Sequence, residues 1–137
     1  TKEKMPVKDI FDTRGEIYFR KVESQYLQEL IYHVSDAVLS LGGGTPCYYD
    51  TMDFLKSFSH LKTFYLQTEV QTLSLRLAEA KSSRPLISHL ENIEQIQEFV
   101  GKHLFERNPF YLQAEFKINT DRKSVETVAQ EIQSQLT

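Results

Sequence analysis

The sequence predicts an α/β fold, a parallel sheet with helices on both faces. Three observations carry this. Short apolar runs of strand length alternate with longer segments whose apolar residues recur every three or four positions. Those longer segments stand between the strands, and strands joined by crossover helices cannot pair as hairpins, so they run parallel. With 137 residues, 40% of them hydrophobic and 26% charged, the chain has the size and make-up of one soluble domain around one core.

In chain order, Met5 to Phe11 is a short amphipathic piece, ended by Asp12-Thr13-Arg14-Gly15. A long helix follows from Glu16 to His33, with Val22, Tyr26, Leu30 and Val34 on one stripe, widened by Phe19, Leu27 and Ile31. Ala37 to Leu41 is a short apolar run broken by Gly42-Gly43-Gly44 and reads as a buried strand. Tyr49 to Phe58 is the next helix, with Asp50 near its start. Thr63 to Leu66 is a second buried strand, and Thr68 is placed to cap a helix over Glu69 to Lys81. Ser82 to Leu90 is polar and contains Pro85, which makes it a loop. Helical spacing returns from Ile93 to Glu106, Ala114 to Asn119 is a third strand, and Val125 to Leu136 is a closing helix.

Composition narrows the function. A net charge of -3 without a long run of like charges argues against a nucleic-acid surface or a polybasic membrane anchor. The apolar stretches are too short to span a bilayer, and no secretory leader opens the chain, so a cytoplasmic protein is expected. Without a long exposed apolar stripe, a monomer is expected. The single cysteine, Cys47, excludes an intrachain disulfide and a cysteine-rich zinc site. His33, His60, His89 and His103 lack the spacing of a helical metal pair.

Chemistry is expected beyond the carboxyl ends of the strands. There, Gly42-Gly43-Gly44 strips side chains from the crevice and exposes backbone N–H groups, unless it is only a flexible turn. In Glu16-Ile17-Tyr18-Phe19-Arg20-Lys21-Val22-Glu23, both carboxylates flank Arg20 on one helix face. Such a pair can hold a guanidinium in one rotamer for an anionic ligand, or it can be a solvated surface ion pair. Arg84-Pro85-Leu86 and Arg107-Asn108-Pro109-Phe110-Tyr111 set two further arginines beside prolines, suited to phosphate or carboxylate or to nothing beyond a loop and a helix end.

Taken in order, these pieces resemble the shikimate kinases. Asp9-Ile10-Phe11, Gly15-Glu16, Phe19-Arg20 and Glu23 match the family's I-F, G-E, F-R and E, followed by the glycine run, Arg84-Pro85-Leu86, and Arg107 with Pro109 and Tyr111. The resemblance covers essentially the whole chain. It implies the phosphate-loop kinase fold and transfer of the ATP γ-phosphate to the 3-hydroxyl of shikimate, in aromatic amino-acid biosynthesis, with Mg2+. It also implies roles: Arg20 and Arg107 for the shikimate carboxylate, Gly42, Gly43 and Gly44 for ring hydroxyls, and Phe11, Phe19 and Glu23 for lining the pocket. Arg84 would belong to a lid over 82–90 and reach the ATP phosphates, and Lys123 would lie beside adenine. Such a lid would supply charge stabilisation and exclude water as it closes.

One departure is plain. No G-x-x-x-x-G-K-[ST] occurs in the 137 residues. In the family that loop, with its lysine and its metal-ligating hydroxyl, falls about one βα unit ahead of the matching region, together with acidic residues of the second strand. The chain also opens on Thr1 without methionine, so the expectation is a kinase domain lacking its N-terminal part and inactive by itself. The strands at Ala37 to Leu41 and Thr63 to Leu66 would then stand parallel and unpaired about 9–10 Å apart, twice the interstrand spacing. A binding domain that has lost its phosphate loop, or another small-molecule kinase such as a gluconate kinase relative, are the alternatives. The arginine pair with the glycine run between favours shikimate over gluconate.

Overall fold

The structure is a computed structural model in which residues 7–80 and 92–136 are described. The lid expected at 82–90, with Arg84, lies outside the described residues, as do Met5 and Pro6. The chain divides into two compact units, Thr1–Phe54 and Leu55–Thr137.

The first unit is dominated by α1 (Val7–His33), which is two helices joined at Gly15. Gly15 adopts φ 84° and ψ 168°, a backbone state that side chains with a Cβ rarely take. A Cβ there would meet nothing within 4 Å, so glycine is needed for the backbone alone. The break predicted at Asp12 to Gly15 is therefore real, although the first helical piece runs on past Phe11. Ile10 and Leu27 are buried, whereas Leu30 and Val34 of the predicted stripe are exposed. Periodicity says which residues share a face and leaves open whether another element covers it.

The buried strand expected over Ala37 to Leu41 does not form. These residues are irregular and exposed, with Val38 at 94%, and they join no ladder among the described residues. The physical reason is that an apolar run becomes a strand only where a neighbour satisfies its N–H and C=O groups. A 3-10 turn follows at Thr45–Cys47, then α2 (Thr51–Lys56). This helix is shorter than predicted because Tyr49 sits at φ 53°, outside the helical region. Asp50 opens it instead, its carbonyl accepting from the Phe54 N–H at 2.8 Å.

The second unit is built on β1 (Phe64–Gln67) and β2 (Phe116–Asn119), which pair in parallel with Phe64 opposite Phe116 and Leu66 opposite Ile118. The connection between them carries α3 (Val70–Glu79) and α4 (Ile93–Tyr111), packed on one another. That is the parallel crossover the spacing predicts. The rings of Phe64 and Phe116 stack at 5.0 Å, and Ile96, Val100, Ala114, Ile118 and Val128 are buried.

Two helix ends differ from expectation. Thr68 does not cap α3, because its hydroxyl is engaged with that of Thr120. Glu69 is the N-cap residue, and its N–H donates to the Asp121 carboxylate at 3.0 Å. A loop after β2 thus satisfies one of the donors that a helix start leaves open, at the end where negative charge is favoured. Helix α4 runs past Glu106 to Tyr111 with Pro109 inside it. Proline deprives the Phe105 carbonyl of its helical partner, but Phe105 is exposed and water can serve instead. The last turn is held by tertiary contacts, the Tyr65 hydroxyl donating to Asn108 Oδ1 at 2.9 Å and the Tyr65 and Tyr111 rings lying 5.1 Å apart. Asn92 caps α4, accepting from the Gln95 N–H. Finally, α5 (Val125–Leu136) begins where predicted, with Ser124 Oγ accepting from the Thr127 N–H.

Ile118 carries the β2 side of this core. Replacing it, Ile118→Ala, should cost about 2–5 kcal/mol through lost burial and a residual cavity. Urea unfolding followed by circular dichroism checks this, with the midpoint falling at unchanged slope. A shift below about 1 kcal/mol would place Ile118 in a site that collapses freely.

Candidate functional site

The site grows from one turn in the first unit. After Gly42-Gly43 the chain closes on itself, the Thr45 N–H donating to the Gly42 carbonyl and the Cys47 N–H to that of Gly44, both at 3.0 Å. Pro46 supports the tight 3-10 geometry by fixing φ. The closure buries Gly44 and Thr45 against α1.

Gly44 is the tightest point. A Cβ built on it would stand 2.8 Å from Cζ and 2.9 Å from Nη1 of Arg20, far inside any real contact. The space that the glycine run clears is thus occupied by the Arg20 guanidinium, lying directly on the backbone. At Gly42 a Cβ would come to 3.3 Å from Thr45 Oγ1, so that position is close-packed too.

Arg20 is gripped from both helix neighbours. Nη1 donates to Glu23 Oε1 at 3.0 Å, and Nε stands 3.9 Å from Glu16 Oε1. A solvated surface pair would leave the arginine in water, but its side chain is only 12% exposed. The ion pair is therefore a set geometry rather than a transient one.

Each carboxylate is held in turn by a hydroxyl from the turn. Thr45 Oγ1 donates to Glu23 Oε2, and the Tyr48 OH donates to Glu16 Oε1, both at 2.8 Å. The rings of Tyr48 and Phe19 also face the guanidinium, their centroids 4.5 Å and 5.1 Å from Cζ. The hydrogen bond to Glu16 raises the Tyr48 pKa above its ordinary value, with burial and the Glu16 charge adding to it and Arg20 opposing it.

Of the residues singled out in the sequence, Arg20, Glu23, Phe19 and Gly44 meet here, with Gly42 beside them. The Gly43 carbonyl lies 3.9 Å from Cys47 Sγ. The Phe11 side chain is outside the described residues. Thr45 and Tyr48 carry no motif signal, because a hydroxyl that reaches back 22 or 32 residues leaves no trace in local spacing.

The other candidates lie in the second unit. Arg107 is half-buried on α4, one helical turn after His103. Burial lowers the His103 pKa, and the Arg107 charge lowers it further. Lys123 forms an ion pair with Glu131 at 2.9 Å, next to the loop in which Asp121 caps α3. No three His, Cys, Asp or Glu side chains gather among the described residues. No described helix is long and apolar enough to cross a membrane.

A family model described as shikimate kinase matches residues 1–137. The chain belongs to the shikimate kinase family. Curated relatives agree. A shikimate kinase of Flavobacterium johnsoniae is 38% identical over 128 residues, 93% of this chain and 73% of the relative. One from Flavobacterium psychrophilum is 40% identical over 126 residues, 92% of this chain and 72% of its own. A 1.7 Å crystal structure of shikimate kinase from Bacteroides thetaiotaomicron superposes with a TM-score of 0.85 at 33% identity, covering 98% of this chain and 77% of that one. The phosphate-loop kinase fold is thereby shown. Family membership disfavours the gluconate kinase and binding-only readings.

The Tyr48 environment is open to titration. Its folded-state pKa lies above the unfolded value of 10.0. The neutral phenol therefore contributes stability fully present below pH 10 and lost as pH rises through the folded pKa. Difference absorbance between wild type and Tyr48→Phe should show one phenol ionising late, and Glu16→Gln should bring it back towards the ordinary value. A Tyr48 that ionises at or below the ordinary value in the wild type would contradict the hydrogen bond to Glu16.

Proposed function

We propose that the protein transfers the ATP γ-phosphate to the 3-hydroxyl of shikimate, giving shikimate 3-phosphate and ADP. Family membership supports the reaction. The observation that carries the acceptor side is the pre-set Arg20 guanidinium on the Gly44 backbone.

Phosphoryl transfer asks a protein for positioning, charge stabilisation and exclusion of water. Arg20 supplies positioning. Its planar fork suits a carboxylate better than a point charge would. Arg20, Glu16 and Glu23 together carry a charge of -1, so Arg20 alone is a poor trap for an anion. A second cation is needed, and the family resemblance assigns that place to Arg107. Gly42, Gly43 and Gly44 would offer backbone groups to ring hydroxyls, while Phe11, Phe19 and Glu23 would line the pocket.

The remaining assignments belong to the nucleotide side. We take residues 1–137 as part of one kinase domain, with 82–90 as its lid and Arg84 reaching the phosphates. Lys123 would stand near adenine, its ammonium held by Glu131 rather than spent on the ligand. The family's reaction uses ATP with Mg2+. The described residues offer no gathered acidic set to hold that ion, and no step is assigned to them through it.

Steady-state kinetics of the full-length protein, following ADP release at varied shikimate and varied ATP, test this reading. Arg20→Ala and Arg107→Ala should each raise the shikimate KM on the order of a hundredfold, as expected for charge-assisted bonds of about 2–3 kcal/mol, with the ATP KM little changed. Arg84→Ala should lower kcat far more than it alters shikimate affinity. No ADP release dependent on shikimate in the wild type would overturn the function, and an unchanged shikimate KM in Arg20→Ala would overturn the site.

A further inference from the structure

Arg20 is held at second hand. Glu23 uses one oxygen for Arg20 Nη1 and the other for Thr45 Oγ1, at 3.0 Å and 2.8 Å. Glu16 Oε1 takes the Tyr48 hydroxyl at 2.8 Å and lies 3.9 Å from Arg20 Nε. Tyr48 also sets its ring against the guanidinium at 4.5 Å. Thr45 is buried, and Tyr48 is about two-thirds covered. Both belong to the segment just after the glycine run, closed by the Thr45 N–H and Cys47 N–H bonds.

A carboxylate on a helix surface has several rotamers of similar energy, and Glu16 and Glu23 alone would let Arg20 swing with them. A hydroxyl fixed on a closed turn removes that freedom. It accomplishes this without adding a formal charge beside the guanidinium. An aromatic face adds attraction to the guanidinium.

On the reading of Arg20 as the acceptor-carboxylate arginine, we propose that Thr45 and Tyr48 are positioning residues for shikimate binding. Thr45 acts through Glu23, and Tyr48 acts through Glu16 and through its ring. The turn after the glycines therefore sets acceptor affinity as well as connecting two elements.

The test uses the full-length protein and four variants. Tyr48→Phe keeps the ring and loses the hydroxyl, Tyr48→Leu loses both, Thr45→Val loses the hydroxyl, and Thr45→Ser restores it. Shikimate KM should rise about three- to tenfold in Tyr48→Leu and Thr45→Val, and less in Tyr48→Phe, from the worth of one cation–π contact or one charge-assisted bond. Thr45→Ser should recover most of what Thr45→Val loses. The ATP KM should stay within about twofold throughout, since the charge-assisted bonds concerned touch only the acceptor side. In an Arg20→Lys background, where the planar fork is gone, Tyr48→Leu should add little further. Should Tyr48→Leu fail to fold, Tyr48→Phe and the threonine pair carry the test. Unchanged shikimate KM in Tyr48→Phe, Tyr48→Leu and Thr45→Val overturns the proposal, as does an equal effect of Tyr48→Leu with Arg20 and with Lys at position 20. A wild type without shikimate-dependent turnover would instead sink the function itself, so the two failures are distinct.

Discussion

The contact between the Arg20 guanidinium and the Gly44 backbone is the constraint on which the first unit depends. It demands glycine at 44, because any Cβ would overlap the guanidinium. It demands that the chain fold back sharply afterwards, which Pro46 and two 3.0 Å backbone bonds accomplish. It also places Thr45 and Tyr48 where their hydroxyls reach Glu23 and Glu16. A mostly buried arginine is costly unless its charge is compensated. Here two carboxylates supply that compensation, and two hydroxyls and an aromatic face keep them in place. The same features that make the burial tolerable also make the arginine rigid, and rigidity lowers the entropic cost of holding a small anion.

The second unit answers a different demand. Its two parallel strands must be joined by a long crossover, and the helix starts within that crossover leave N–H groups that need partners. Asp121, from the loop after β2, serves the start of α3, and Asn92, at the N-cap position itself, serves the start of α4. Tyr65 and Tyr111 tie β1 to the last turn of α4, the turn that follows Arg107. Arg107 is thus mounted near a helix end fixed by side chains rather than on a free loop.

Much of this was legible in the residues. The break at Gly15, the parallel direction of the strands near Thr63 and Ala114, the closing helix and the placing of Glu16 and Glu23 beside Arg20 follow from period, glycine and charge spacing, which are local signals. Ala37 to Leu41 has the composition of a strand and forms none, because a strand is a property of a pair and an apolar run reports only one member of it. Thr68 differs for a similar reason, since the partner that removes it from capping, Thr120, is 52 residues away. Pro109 marks a helix end by local rules, and tertiary contacts at Asn108 and Tyr111 override it. Thr45 and Tyr48 carry no local signal, because only the folded turn brings them onto the two glutamates.

On the proposed reading, Arg20 is set in advance for the carboxylate of the acceptor. Calorimetric titration of the full-length protein with shikimate, and with the analogue in which the carboxylate is reduced to an alcohol, tests it most directly when repeated in Arg20→Ala. Shikimate should bind the wild type far more tightly than the alcohol does, and Arg20→Ala should erase most of this difference while leaving the alcohol's affinity nearly unchanged. An Arg20→Ala protein that weakens both ligands equally would contradict it, because the guanidinium would then be supporting the fold of the pocket rather than reading the carboxylate.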